Sequence, residues 1–255
     1  MKKQLIALSA IVRAEIRRFM KVWPQSLMPP VITMVLYFVV FGKFIGSQLS
    51  DVNGHGYMEF IVPGLIMMSI IMNSYNNTVF SFFVARFHKS IEEILVSPVK
   101  HHTLLIGFAI GGVIRGLITG VLVVLASLPF THFLPHNFFI VLISAILASL
   151  FFSLAGFTNA MVARQFDDIS IVPTFVLTPL IYLGGVFYSI SQLPPIWQTV
   201  SYANPIMYIV STFRYGFLGS GHVNVYSGFA VLGVFVLALY AVNYVLLNKG
   251  VGIRT

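Results

Sequence analysis

Side chains able to do chemistry are few in this 255-residue sequence, and their spacing restricts what they can do. Two acidic pairs occur, Glu92-Glu93 and Asp167-Asp168. An intramembrane enzyme acting on lipid would need a nucleophile or an acid/base pair at one membrane face. Asp167-Asp168 instead sits in a tight polar turn, where either carboxylate can cap the helix that follows. Neither H-E-x-x-H nor G-x-S-x-G is present. The phosphate-binding G-x-x-x-x-G-K-[ST] loop is also missing, so the chain does not hydrolyse ATP by that route. His55, His88, His101, His102, His132, His136 and His222 are scattered, and His101-His102, as sequence neighbours, do not share a helix face. With no Cys in the chain, no metal site is expected, and disulfides are excluded. What remains is an amide patch, Asn73, Asn76 and Asn77, and two isolated cations, Arg115 and Arg214, all in apolar surroundings. At membrane depth such groups need a partner or a wet cavity. The amides are expected either to line a substrate pathway or to bond between helices within one subunit. Arg115 is expected to face protein, water or headgroups. Arg214 would pair with an outer carboxylate such as Glu59 or contact headgroups, although Glu59 reads most simply as an interfacial carboxylate. No cluster of Asp or Glu inside the apolar runs suggests a proton relay.

The elements that hold these residues are set by hydropathy. Only 9% of residues are charged, against about 25% in soluble domains. With a mean hydropathy of +0.92, the chain belongs in a bilayer. Six apolar runs are each about one membrane thickness long: 26–45, 57–84, 103–128, 138–163, 169–188 and 226–247. Pro29 and Pro30 fall in the first turn of the first run, where a missing N–H costs least. In the third run Gly107, Gly111, Gly112, Gly116 and Gly120 allow close helix approach. Ahead of the spans, residues 1–23 form a basic amphipathic helix, with Leu5, Leu8, Val12, Ile16, Phe19 and Trp23 on one face and Arg13, Arg17 and Lys21 on the other. No removable signal peptide is apparent. Between the second and third runs, Ser90 with Glu93 reads as a capping box and Pro98 as a stop, giving a short helix with an apolar face of Ile91, Ile94 and Leu95. The stretch Tyr182–Gly219 is apolar but broken at Gly184-Gly185, Pro194-Pro195 and Asn204-Pro205. Its Trp197, Tyr202, Tyr208 and Tyr215 suit a membrane surface.

Basic residues orient the chain. Lys2, Lys3, Arg13, Arg17, Arg18, Lys21, Arg86, Lys89, Lys100, Arg164, Lys249 and Arg254 fall on one side; only Lys43 and Arg214 fall on the other. This bias places both termini and the short helix in the cytoplasm, and the broken stretch outside. The same distribution, concentrated in loops between apolar runs, argues against nucleic acid as the partner of the basic excess.

Four features together resemble the membrane subunits of type 2 ABC exporters: the basic amphipathic helix, the segment Glu92–Pro98, the Pro63-Gly64-Leu65 triplet, and the run Gly185, Phe187, Leu193-Pro194, Asn204-Pro205, Tyr208, Arg214. The resemblance covers essentially the whole chain. It implies an all-α membrane protein with a connecting helix (1–23) and a six-span domain (24–255). That domain would carry a coupling helix at about 90–98 and a re-entrant outer helical pair at about 189–219. It also implies a homodimer, two copies of a separate cytoplasmic ATPase that carries ATP and magnesium, and an amphiphilic cargo such as a drug, lipid or lipid-linked glycan. No cofactor is expected on this chain. Ile91, Glu92, Glu93, Ile94 and Leu95, helped by Arg13 and Arg17, would dock the ATPase. Asn73, Asn76, Asn77 and Arg115 are the candidate pathway residues. Gly184, Gly185, Pro194, Asn204, Pro205 and Arg214 would form the outer gate. The competing class is a carrier or channel working alone, but neither an internal repeat nor a coupling carboxylate in a span is evident.

Overall fold

A computed structural model describes residues 2–46, 54–131, 135–221 and 223–252, without the side chains of Lys43, Ile45 and Leu95. Asp51, His132, His222 and Arg254 lie outside the described residues. Every regular element among the described residues is helical. Helix α1 is Lys2–Lys21; α2 is Trp23–Tyr37, prolonged by a π-helical stretch Phe38–Ile45; α3 is Tyr57–Phe87; α4 is Ser90–Val96; α5 is His101–Ser127; and α6 is Phe138–Val162. Then come α7 (Asp168–Val172), a π-helical turn Pro173–Leu177 and α8 (Thr178–Leu183), followed by α9 (Pro195–Tyr202), α10 (Pro205–Leu218) and α11 (Val225–Asn248).

Among the described residues, five helices are long and apolar enough to cross a membrane: Trp23–Gly42, Tyr57–Phe87, His101–Ser127, Phe138–Val162 and Val225–Asn248. The expected fifth span, 169–188, is shorter than its apolar run. The continuous helical stretch is Asp168–Leu183, because the chain turns at Gly184-Gly185. At 1.5 Å per residue it is about 24 Å long, against a hydrocarbon core of about 30 Å. The π-helical turn has a local cause. Pro173 has no N–H to give to the Ile169 carbonyl, which takes the Asn159 amide (3.4 Å) instead, while the Pro173 carbonyl accepts the Thr178 hydroxyl at 2.8 Å.

Helix α3 is the hub, packed mainly between α5 and α6. Small residues make this possible. A side chain at Gly112 would collide with Thr78 and Ser153, whose hydroxyls are hydrogen-bonded at 2.6 Å, and with the Ser74 carbonyl. Gly107 and Gly111 of the same helix face Ile11 and Glu15 of α1 instead. The glycine run therefore serves two interfaces at once. Gly112→Val is expected to cost about 2–3 kcal/mol by overpacking. Size-exclusion profiles and melting curves of purified protein check this, with Gly233→Val, which has open space around it, as the unaffected control.

Two expected caps are corrected. The Ser90–Glu93 capping box does not form. The chain turns sharply at Lys89, which adopts the left-handed conformation, and Ser90 becomes the first helical residue. Its hydroxyl then bonds back to the Ala85 carbonyl at 2.9 Å. Neither Asp167 nor Asp168 caps α7. The Asp168 carboxylate accepts from the Arg164 and Gln165 amides, at 2.7 and 3.0 Å, and closes the preceding turn.

Candidate functional site: a charged elbow, a polar recess and a stapled turn

Helix α4 is anchored chiefly through Ile91. Ile91 is 1% exposed and belongs to the protein's own core, so its expected role as a docking contact is corrected to that of an anchor. Ile94 packs partly against the same core. Glu92 and Glu93 point to solvent, and Val96 is 89% exposed, so the outward surface of the helix is acidic with an apolar tip. Leu95 lies in the helix, but its side chain is outside the described residues. The turn after α4 is clamped by Gln4 of α1. Gln4 donates to the Pro98 carbonyl (2.7 Å) and accepts from the Lys100 amide (3.1 Å) and the Thr103 hydroxyl (2.7 Å). The end of α4 is thus tied to the start of α1. Arg13 and Arg17 are exposed on α1.

Further along α1 the expected apolar face is rotated. Leu5 is 64% exposed, whereas Glu15 is 6% exposed and Phe19 is buried. The reason is the partner helix, since Gly107 and Gly111 of α5 admit Ile11 and Glu15. Glu15 accepts from the Ser81 hydroxyl and pairs with Arg18 at 3.1 Å. Arg18 also donates to the Asn77 side-chain oxygen at 2.8 Å, and the Asn77 amide reaches Glu15 at 3.5 Å. A buried carboxylate is tolerated when paired and hydrogen-bonded. Here α1 supplies both charges and α3 the neutral partners.

This elbow separates the candidate pathway residues. Asn77 belongs to the elbow, and Asn73 is buried and bonds to the Ser69 carbonyl of its own helix at 2.9 Å. Asn77 thus bonds between helices, whereas the Asn73 bond stays within α3. Asn76 and Arg115 instead share a recess of about 460 Å³, bounded also by Ser170 and Thr174 at the start of the α7–α8 stretch. Arg115 donates to the Ser26 carbonyl at 3.0 Å, which lies in the first turn of α2.

Arg214 is 5% exposed and bonds to three carbonyls: Phe60 on α3 (3.1 Å), Gly185 (2.8 Å) and Val186 (3.3 Å). Its guanidinium stacks on the Phe60 ring, 3.8 Å from the centroid. The expected pairing with Glu59 or with headgroups is therefore corrected. Glu59 lies 3.6 Å from His55, and Arg214 ties the Gly184-Gly185 turn to α3. The Pro63-Gly64 pair explains the approach, because a side chain at Gly64 would meet the Val186 carbonyl at 2.6 Å. Tyr57 donates to the next carbonyl, Phe187, at 3.1 Å. Gly185 has φ +76°, a conformation that favours glycine. Asn204 caps α10 through the Ile206 amide at 3.0 Å and also donates to the Leu180 carbonyl at 2.6 Å. Pro194 precedes α9 and Pro205 starts α10, each where a missing N–H costs nothing. Helix α10 is mostly buried, while Ile196, Trp197, Val200 and Tyr202 of α9 are exposed.

Three of these contacts carried no signal in the sequence. Arg86 donates to the Ala160, Met161 and Ala163 carbonyls at the end of α6. His101 meets Asn248 at 2.6 Å, and His102 meets the Tyr240 hydroxyl at 2.6 Å while stacking on Tyr244, all on α11. The histidine pair is thus spent on helix packing. No group of side chains suited to a metal ion occurs among the described residues.

Among the described residues, helices long and apolar enough to cross a membrane are accompanied by the short helix α4 and by a turn stapled beside a Pro-Gly pair. The model of the ABC-2 type transporter family matches residues 6–218, and the chain belongs to that family. It is 53% identical over 250 residues to the inner membrane transport permease YadH of Escherichia coli K12, covering 98% of each chain. It is 23% identical over 218 residues to nodulation protein J of Rhizobium leguminosarum bv. viciae, covering 84% of this chain and 83% of that one. With nodulation protein J of Rhizobium meliloti the identity is 24% over 243 residues, covering 94% and 92%. The chain is accordingly a multi-pass membrane protein of a transporter family.

Proposed function

We propose that this chain is the permease subunit of an ABC exporter of the bacterial inner membrane, moving an amphiphilic substrate such as a drug, lipid or lipid-linked glycan. One observation carries the reading: the chain belongs to a transporter family of the ABC type but has no phosphate-binding loop of its own. ATP and magnesium then act on a partner, a cytoplasmic ATPase present in two copies beside a homodimer of this chain. In this arrangement the α7–α8 stretch serves as the fifth of six crossings and both termini are cytoplasmic. Helices α9 and α10 re-enter the outer leaflet as part of the outer gate, together with the stapled Gly184-Gly185 turn.

The acidic face of α4 is the docking surface, with Ile91 transmitting load to α3. Gln4 passes the same load to α1, and the Glu15–Arg18 elbow passes it on to α3 and α5. Two rigid routes from one short helix would let ATPase closure move the connecting helix and the central helices together. Affinity purification of the tagged permease from its native membrane should bring down a P-loop ATP-binding chain in equal amount. Reversing Glu92 and Glu93 to Lys together should remove that chain, about a hundredfold or more, while membrane insertion stays normal. An unchanged complex would show that α4 is not the docking surface. Nucleotide-independent transport by the permease alone in vesicles would favour the stand-alone carrier.

A further inference from the structure

We propose that the recess between Asn76, Arg115, Ser170 and Thr174 binds the headgroup of a phosphate-bearing amphiphile of net negative charge, as distinct from a zwitterionic one, drawn from the inner leaflet. This assignment rests on the permease reading above and names the chemistry that enters its pathway. Arg115 carries the argument. One of its guanidinium nitrogens holds the Ser26 carbonyl at 3.0 Å, but Nε is buried without a hydrogen-bond partner. The ion pairs among the described residues are Glu15–Arg18 and His55–Glu59, so no carboxylate answers Arg115. Its charged neighbour is another cation, Arg18, already matched by Glu15. A largely buried guanidinium without a counter-ion is costly, and an entering anion would recover that cost. A cationic cargo would be repelled.

The rest of the recess suits the same ligand. Asn76, Ser170 and Thr174 line it, with side chains not hydrogen-bonded to other described residues. One amide and two hydroxyls beside a guanidinium can donate to several phosphate oxygens together. Phe80 and Ile169 supply an apolar wall for the chains that follow the headgroup. At about 460 Å³ and open on one side, the recess has room for a headgroup. Depth agrees. Ser26 lies in the first turn of α2, and Ser170 and Thr174 lie in the first two turns after Asp168. The distribution of basic residues puts both of those helix starts at the cytoplasmic side.

The test uses the purified permease in a neutral detergent, without any ATPase. The probes are short-chain phosphatidylglycerol, phosphatidylcholine with the same acyl chains, and inorganic phosphate, with binding read by native mass spectrometry. Phosphatidylglycerol should bind more tightly than phosphatidylcholine. Arg115→Gln should weaken phosphatidylglycerol about ten- to a hundredfold and leave phosphatidylcholine unchanged, with Arg115→Lys in between. Displacement of the lipid by inorganic phosphate would support an anion site satisfied by the headgroup alone; resistance to displacement would support one that needs the whole amphiphile. Equal binding of the two lipids, or an Arg115→Gln protein that binds phosphatidylglycerol normally, would overturn the proposal. If Arg115→Gln does not fold, the exposed pair Ser170→Ala with Thr174→Val keeps the question open to measurement. Severalfold weaker phosphatidylglycerol binding supports the site and unchanged binding overturns it. Failure here leaves the co-purification of an ATP-binding chain untouched, so the two readings fail separately.

Discussion

Replacing Arg214 with Met lowers the melting temperature of the purified protein by roughly 6–12 °C, corresponding to about 3 kcal/mol of lost stability. The size follows from what the guanidinium satisfies. Carbonyls of Phe60, Gly185 and Val186 all end on this one side chain. Met fills similar volume but donates nothing, and each buried carbonyl left without a partner costs about 1 kcal/mol or more. Arg214→Lys should recover less than half of the loss, because a single ammonium cannot fork between two elements as the planar guanidinium does. Gly64→Leu attacks the same junction from the other side by pushing the Val186 backbone away. The double variant should be clearly less damaging than the sum of the two singles, since both break one contact. Additive losses would mean that Arg214 stabilises the fold through something other than the stapled turn.

The second large effect is expected at Glu15. Glu15→Leu removes the partner of Ser81, Asn77 and Arg18 in one step. The expected loss is about 3 kcal/mol, the low end for breaking a buried pair, because the Arg18 side chain is 34% exposed and keeps part of its hydration. Glu15→Leu combined with Arg18→Leu should be more stable than Glu15→Leu alone, because no unmatched charge then remains. Function should not recover with stability, since the double variant removes the hydrogen bonds from α1 to Asn77 and Ser81 through which α4 movement would reach α3. ATP hydrolysis by the reconstituted complex and transport, measured side by side, separate the two effects. Rescue of both by the double variant would reduce the elbow to a packing element.

What the sequence revealed follows physical scale. Helix existence rests on long apolar runs, so the spans 57–84, 103–128, 138–163 and 226–247 agree with α3, α5, α6 and α11 to within a few residues. The break at Gly184-Gly185 and the split at Asn204-Pro205 were visible for the same reason, since glycine pairs and X-Pro sites act locally. Side-chain partnership is non-local and stayed hidden. Arg214 looked like an outer charge in search of Glu59, and nothing near it in sequence announces the Gly185 and Val186 carbonyls. Glu15 has no neighbour in sequence that marks it as buried. Only the register of α1 on α5, set by where Gly107 and Gly111 leave room, turns it inward. The apolar face Ile91, Ile94 and Leu95 was legible as a face, but periodicity alone does not say whether it meets a partner or the protein's own core. Burial of Ile91 decides that for one residue. Ser90 shows the reverse error, a correct motif defeated by the left-handed turn at Lys89.

The central claim, that α4 hands the work of a separate ATPase to this chain, is tested most directly by crosslinking. The chain has no Cys, so Val96→Cys gives a single attachment point on the exposed tip of α4. It is labelled with a thiol-reactive photo-crosslinker in native membranes opened to the cytoplasmic side, then illuminated. The account predicts one covalent product that pairs this chain with a P-loop ATP-binding subunit, while the same label at Trp197→Cys on α9 gives none. Absence of any ATP-binding chain in the Val96→Cys product, with the permease still able to transport, would contradict it.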